Sequence, residues 1–327
     1  MKHERILVIG GTGFIGRHLA ALLAAGGRDV IVPTRRRAHG RDLLLLPTVD
    51  VVEADVGDDA ALARLVARAD AVVNLVGILH GRRGAPWGPE FERLHVRLPA
   101  RLARVCAAAG VRRLLHISAL GVRDGGESDL PSMYLRSKAA GERALREAAS
   151  AAGATAGLAW TIFRPSVVFG PDDRLLNLFA KLQAWLPLML LARANARLQP
   201  VYVGDVARAL VNALDAPATH GRIYELAGSE IFTLRELVAL AGRLSGHRRP
   251  IIALPDALGR LQAALLEFAP GPTLMSRDNF DSLSVDNVAS GPIAPELGIT
   301  PAGPAELAPA WFRHDERLGI WRMRAGR

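Results

Sequence analysis

The sequence predicts an α/β fold: a doubly wound parallel sheet with a smaller, discontinuous C-terminal lobe. Three observations carry this. Over the first 120 residues, short β-branched runs alternate with Ala/Leu/Arg-rich runs at helical spacing. That alternation is the pattern of parallel strands joined by right-handed helical crossovers. The glycine run GGTGFIG, residues 10–16, falls between one such strand and the helix after it. Beyond WTIFRPSVVFG, residues 160–170, the alternation weakens into amphipathic stretches between loops.

The elements follow in order. ERILVIG, DVIVPT, DVVEAD, DAVVNLVG and RRLLHISAL read as strands, with GRHLAALLAAG, DAALARLVARA and PARLARVCAAAG as helices between them. In such a sheet a ligand binds beyond the carboxyl ends of the strands. Residues 1–165 and 199–227 are assigned to the nucleotide-binding domain, and 166–198 and 228–327 to the smaller lobe. Within that lobe DDRLLNLFAKLQAWLPLML and LPDALGRLQAALLEFAPGPTL read as amphipathic helices. YELAGSEIFTLRELVAL offers a capping box, Thr233 at the N-cap with Glu236 three residues on. There are no internal repeats and no low-complexity linker.

Composition bounds the function. The longest apolar run, AWLPLMLLA at 184–192, is broken by Pro187 and is too short to span a bilayer. MKHER leads into only four apolar residues, too few for a signal-peptide core, so a cytoplasmic location is expected. The single cysteine, Cys106, excludes an internal disulfide and reads as a small buried helix residue. The net charge of +9 is dispersed, with Arg35 to Arg37 its longest run. Without an aromatic-spaced basic stripe, nucleic acid is not an expected partner.

GGTGFIG has the strand-to-helix context of a dinucleotide fingerprint, which makes the expected sheet one of the Rossmann, NAD(P)-binding kind. Gly10 permits the turn, Gly13 admits a pyrophosphate, Gly16 lets helix and strand close up, and the helix N-terminus, beginning at Phe14 and Ile15, offers free N–H groups. About 20 residues on, an NAD site carries a carboxylate and an NADP site an arginine. Here the second strand ends in PTRRR, with Thr34 and Arg35 at that position and no acid, so Arg35, helped by Arg36, predicts NADP(H). Asp55 and Val56, after the third strand, and Val76–Gly77, after the fourth, fall where adenine and its ribose would lie.

In PSMYLRSKAAGERAL, Tyr134 and Lys138 share one helix face. A lysine ammonium beside a phenol lowers the phenol pKa and makes it a usable acid/base. Only three lysines and three tyrosines occur in 327 residues. Chance expectation for such a pair is about 0.03 on independent positions. Ser118, after the strand RRLLHIS, is placed to donate to a substrate oxygen.

These residues resemble a known family. GGTGFIG, LLHISALG, YLRSK followed by AAGE, and RPSVVFGPDD are similar to a short-chain dehydrogenase/reductase of the extended or atypical branch. VIVPTR, VVNLVG, DDRLLNLFA, QPVYVGDVARALVNAL and MSRDNFDSLSVDN resemble, more narrowly, the branch containing the NADPH-holding accessory subunit of mitochondrial respiratory complex I. The resemblance runs from Arg5 to about Trp311. It implies a bound NADP(H) with Tyr134 and Lys138 at the nicotinamide ribose and Pro165, Ser166 and Val167 beside the nicotinamide. It also implies two roles: oxidoreductase on a small hydrophobic carbonyl or quinone-related compound, or non-catalytic NADPH-stapled protein of a respiratory-chain or quinone-synthesis membrane complex. A nucleotide-sugar epimerase shares the fold but wants an acid pair beside Tyr134 that is not evident. Where active members commonly carry asparagine, this chain has His95, which leaves a histidine-based relay open.

Other residues have structural readings. His116 is expected to pack in the sheet, and Asp205 to cap a helix. Leu258, Leu261, Leu265 and Phe268 form one stripe, for which core packing is the first expectation and docking to a membrane protein or a bilayer surface the second. The basic tail RLGIWRMRAGR, with Trp321, is expected to be a frayed, solvated terminus ahead of an anionic-lipid contact.

Overall fold

The structure is a computed structural model that describes residues 2–123, 126–151, 157–271 and 273–312. The tail with Trp321 lies outside the described residues. Seven strands form the central sheet: β1 Arg5–Ile9, β2 Asp29–Thr34, β3 Val49–Glu53, β4 Ala71–Asn74, β5 Arg113–Ile117, β6 Ala159–Pro165 and β7 Arg222–Leu226. Their order is β7-β6-β5-β4-β1-β2-β3, and every pairing is parallel. The order reverses between β1 and β4, which opens a crevice at their carboxyl ends.

Period-two alternation assigns each strand residue to one of two cores. Ile6, Val8, Val30 and Val32 point to one face, where α1 (Phe14–Ala25) lies. Leu7, Ile9 and Ile31 point to the other, against α2 (Asp59–Val66), α3 (Leu98–Ala109) and α4 (Met133–Ala151). Strands covered on both faces need near-continuous apolar sequence, which these have. Cys106 and His116 are fully buried in this body, as expected.

The C-terminal lobe has its own core. Leu176 and Ala180 of α5 (Leu176–Trp185) pack with Leu234, Leu237 and Val238 of α7 (Leu234–Leu244). The Thr233–Glu236 capping box is present. Between them, α6 (Val203–Leu214) returns to the sheet and packs on α1. Asp205 is not its N-cap: Tyr202 holds that position, and the Asp205 carboxylate instead accepts from the Ala302 N–H at 3.3 Å. The apolar stretch 184–192 is not one helix either. Pro187 lacks an N–H for the ladder, so α5 ends at Trp185 and Met189–Ala192 pairs as a strand with Ile251–Leu254.

Core packing of the Leu258 stripe is overturned. In α8 (Asp256–Glu267) the small residues Gly259 and Ala263 face inward, and Leu258, Leu261, Leu265 and, just beyond, Phe268 stand exposed. The inward face meets Ala192 and Phe280, the latter in α9 (Arg277–Ser282).

Candidate functional site

The glycine turn leaves β1 at the switch point. Gly10 has φ +83°, which a β-carbon would strain, and such a carbon would also stand 3.1 Å from the Leu75 carbonyl carbon. Gly16 lies so close to the Gly10 carbonyl that no β-carbon fits between them. Gly13 is the N-cap of α1, with no side chain over the helix end and no acid in the first turn. The first N–H groups, from Phe14 and Ile15, therefore face the crevice with the positive end of the helix dipole.

At the end of β2 the buried Thr34 hydroxyl is spent on the turn: it donates to the Arg36 carbonyl at 3.1 Å and accepts from the Arg36 N–H at 3.4 Å. That turn holds Arg35 and Arg36 exposed, neither in an ion pair among the described residues. Asp55 is exposed and accepts from the Gly57 N–H at 2.8 Å, with half-buried Val56 against the sheet. The Val76 N–H donates to buried Asn74 at 3.2 Å, and Asn74 also bonds the His116 ring at 3.1 Å. Thus the loops after β1, β2, β3 and β4 line one edge of the crevice.

The other end is built by α4. Lys138 is buried, and its ammonium donates to the Ile117 carbonyl at 3.0 Å and the Val76 carbonyl at 3.5 Å, bridging the ends of β5 and β4. Burial lowers its pKa to about 8 despite the nearby Glu142 carboxylate. Gly77 lies against it: a β-carbon there would come 3.2 Å from the ammonium. Ser118 is buried, and its hydroxyl oxygen has no hydrogen-bond partner among the described residues.

The expectation that Lys138 lowers the Tyr134 pKa is not met. Burial of the phenol raises its pKa to about 12, and the ammonium donates to two backbone carbonyls. A histidine-based relay fails for a similar reason. His95 is fully buried in a π-helical stretch, Glu92–Arg97, with both ring nitrogens occupied. Nε2 accepts from the Ile78 N–H at 3.0 Å, so the proton sits on Nδ1, which donates to Ser137 Oγ at 2.8 Å. Ser137 in turn donates to the Tyr134 carbonyl at 2.8 Å. Burial, reinforced by the Lys138 and His116 charges, pushes the His95 pKa down to about 2, so the ring is neutral. It packs edge-on against Tyr134 with ring centres 5.6 Å apart.

Residues 6–227 match the model of the NAD dependent epimerase/dehydratase family. The chain belongs to that family. Among curated relatives, it is 32% identical over 300 residues to the mitochondrial NADH dehydrogenase [ubiquinone] 1 alpha subcomplex subunit 9 of Arabidopsis thaliana, covering 86% of this chain and 70% of that protein. It is 31% identical to the ceramide reductase of Caulobacter vibrioides over 77% of this chain and 74% of the reductase. Among solved structures it is similar to the Thermus thermophilus UDP-glucose 4-epimerase complexed with NAD, with TM-score 0.62 and 25% identity over 86% of this chain and 99% of the epimerase. This member of the family therefore has an NAD(P)-binding fold, and the resemblance to the complex I subunit branch read from its sequence is met by these relatives.

Three residues beyond the sequence reading complete the site in this family member. Asp278, in α9, accepts from the N–H groups of Met133 and Tyr134 at 2.6 and 3.1 Å, capping α4 from the C-terminal lobe. Asn287 accepts at Oδ1 from Ser166 Oγ at 2.5 Å and the Val167 N–H at 3.0 Å, and donates to the Leu120 carbonyl at 3.3 Å. It thereby ties the Pro165–Ser166–Val167 turn to the loop after Ser118. Arg164 forms a buried bidentate pair with Glu142 at 2.9 and 2.6 Å, joining β6 to α4. The segment MSRDNFDSLSVDN drew attention only as a resemblance, and nothing in its spacing signals that its Asp and Asn clamp two loops far away in sequence.

Proposed function

We propose that this chain is an NADP(H)-dependent oxidoreductase acting on a hydrophobic carbonyl or quinone-related compound. One observation carries the reading: the buried, unpartnered Ser118 hydroxyl shares the crevice end with Tyr134 and Lys138. An orphaned buried hydroxyl is costly unless a ligand oxygen completes it. When bound, NADPH supplies hydride. Gly10, Gly13, Gly16 and the α1 N-terminus would hold its pyrophosphate, Arg35 and Arg36 its 2′-phosphate, and Lys138 its nicotinamide ribose. Asp55, Val56, Val76 and Gly77 would flank the adenosine half, and Pro165, Ser166 and Val167 the nicotinamide. The arginines that follow Thr34 at the end of β2, where the chain itself carries no carboxylate, favour NADP(H) over NAD(H).

Ser118 orients the substrate oxygen, and Tyr134, protonated at neutral pH, donates its phenolic proton there. The reductase among the relatives supports this chemistry. NADPH consumption is measured over a panel of quinones and ketones with wild type and Tyr134→Phe. A rate at least about 100-fold lower in the variant supports general-acid catalysis; equal rates in both overturn it.

A second reading is a nucleotide-stapled, non-turnover protein associated with a respiratory-chain or quinone-synthesis membrane complex. The relatives named as subunits of NADH dehydrogenase favour it, together with the three clamps that fix the nicotinamide end. Nucleotide that stays bound through purification and does not exchange selects this reading; ready exchange selects turnover.

A further inference from the structure

The C-terminal lobe presents its large apolar residues outward. In α8 the polarity is inverted, with Leu258, Leu261, Leu265 and Phe268 exposed while Gly259 and Ala263 pack inward; Phe268 is 77% exposed. The Gln262 amide donates to the Leu190 carbonyl at 3.0 Å, laying α8 along the strand Met189–Ala192. On that strand Leu190 is exposed and registers with exposed Ile252 of the neighbouring strand, so both stand on one side of the pair. Trp185, at the end of α5, is 89% exposed, and exposed Leu186 and Leu188 follow it. A patch of this kind marks an interaction site.

The charges around it select the occupant. Each carboxylate of α8 is engaged: Asp256 with Arg193 at 3.1 Å and Glu267 with Arg277 at 2.8 Å. Asp281, beside α8, pairs with Arg260 at 3.1 Å. Lys181, one helical turn before Trp185, and Arg248, just before the strand Ile251–Leu254, are exposed and in no ion pair among the described residues. Their charge adds to a chain of net +9. A second copy of this chain packed about a two-fold axis would bring these like charges onto the same interface. An anionic headgroup layer pairs with them while leucines enter the acyl boundary and an indole sits at headgroup level. Among the described residues no helix is long and apolar enough to cross a membrane.

We propose that this face docks the protein on an anionic bilayer surface. The patch adjoins the candidate site: the Arg277 guanidinium lies 5.7 Å from the Phe268 ring centre, and the next residue, Asp278, caps the helix that carries Tyr134. Docking is read without turnover, so it stands apart from the proposed chemistry.

The test floats the full chain with vesicles of equimolar phosphatidylcholine and phosphatidylglycerol, and with phosphatidylcholine alone. Recovery with the anionic vesicles is expected to exceed that with the neutral ones by about tenfold and to fall at high salt. Leu261→Ser with Leu265→Ser is expected to cut it by about tenfold, and Lys181→Gln with Arg248→Gln to remove the preference for anionic lipid. Unchanged nucleotide binding verifies the fold of each variant. Failure of the wild type to float overturns the proposal, as does undiminished flotation of the leucine variant. A dimer in light scattering that the leucine pair disperses, without flotation, assigns the face to a second copy instead.

Discussion

The Asp278 carboxylate accepts the backbone N–H of Tyr134 at 3.1 Å across 144 residues of chain. The helix with the candidate acid thus starts against a cap from another lobe, and its position depends on how that lobe packs. Asp278→Ala removes the acceptor for two N–H groups and is expected to cost about 1 to 2 kcal/mol in denaturant unfolding. Asp278→Asn keeps an acceptor and is expected to restore most of that stability. If the alanine variant unfolds at the wild-type midpoint, the cap is inconsequential.

Lys138 sets an alkaline limit. Its pKa, lowered by burial to about 8, lies below the ordinary lysine value of 10.5. Protons therefore leave the folded state first, and nucleotide affinity is expected to weaken as pH rises through about 8, where the ammonium is lost. The same sign makes conformational stability rise between about 8 and 10.5, because the unfolded chain still holds that proton. Titration of NADPH affinity against pH checks this; an affinity flat from pH 7 to about 10 contradicts it.

His95 works in the opposite direction. Folded, it stays neutral down to about 2, while an unfolded histidine protonates below 6.5. Stability from this residue is complete above 6.5 and declines as pH falls toward 2. In His95→Asn, the slope of unfolding free energy against pH is expected to be shallower over that window. An unchanged slope assigns acid sensitivity to other groups, buried His116 first among them.

Glu142 and Arg164 form a buried pair, and neutralising Glu142 removes the bidentate counter-charge from the buried guanidinium. Glu142→Gln is expected to destabilise the protein by about 3 to 5 kcal/mol, seen as a lower unfolding midpoint. A loss within about 0.5 kcal/mol, the range of ordinary surface substitutions, rejects the pair as a structural link.

The sequence made the nucleotide-binding half legible because its signals are local. The short β-branched runs and the glycine turn each need only a dozen neighbouring residues, and β1, α1 and β2 form where those signals stand. The lysine's two carbonyl partners, from Val76 and Ile117, come from separate strand ends, and the phenol ring packs edge-on against His95 from another element. For that reason the direction of the Tyr134 shift was not readable from a four-residue spacing. Asp278 and Asn287 escaped notice because their meaning lies wholly in long-range contacts. The α8 stripe has the same period whether it faces a core or a bilayer; the small residues on its other face decided the matter.

Binding of NADPH and NADH to wild type and Arg35→Ala, measured by calorimetry, most directly tests the proposed NADP(H) site and its grip by Arg35. Wild type is expected to prefer NADPH by at least about tenfold, with the variant losing that preference through weaker NADPH binding and little change for NADH. Equal affinity of the wild type for the two nucleotides, or binding of neither, would contradict the account.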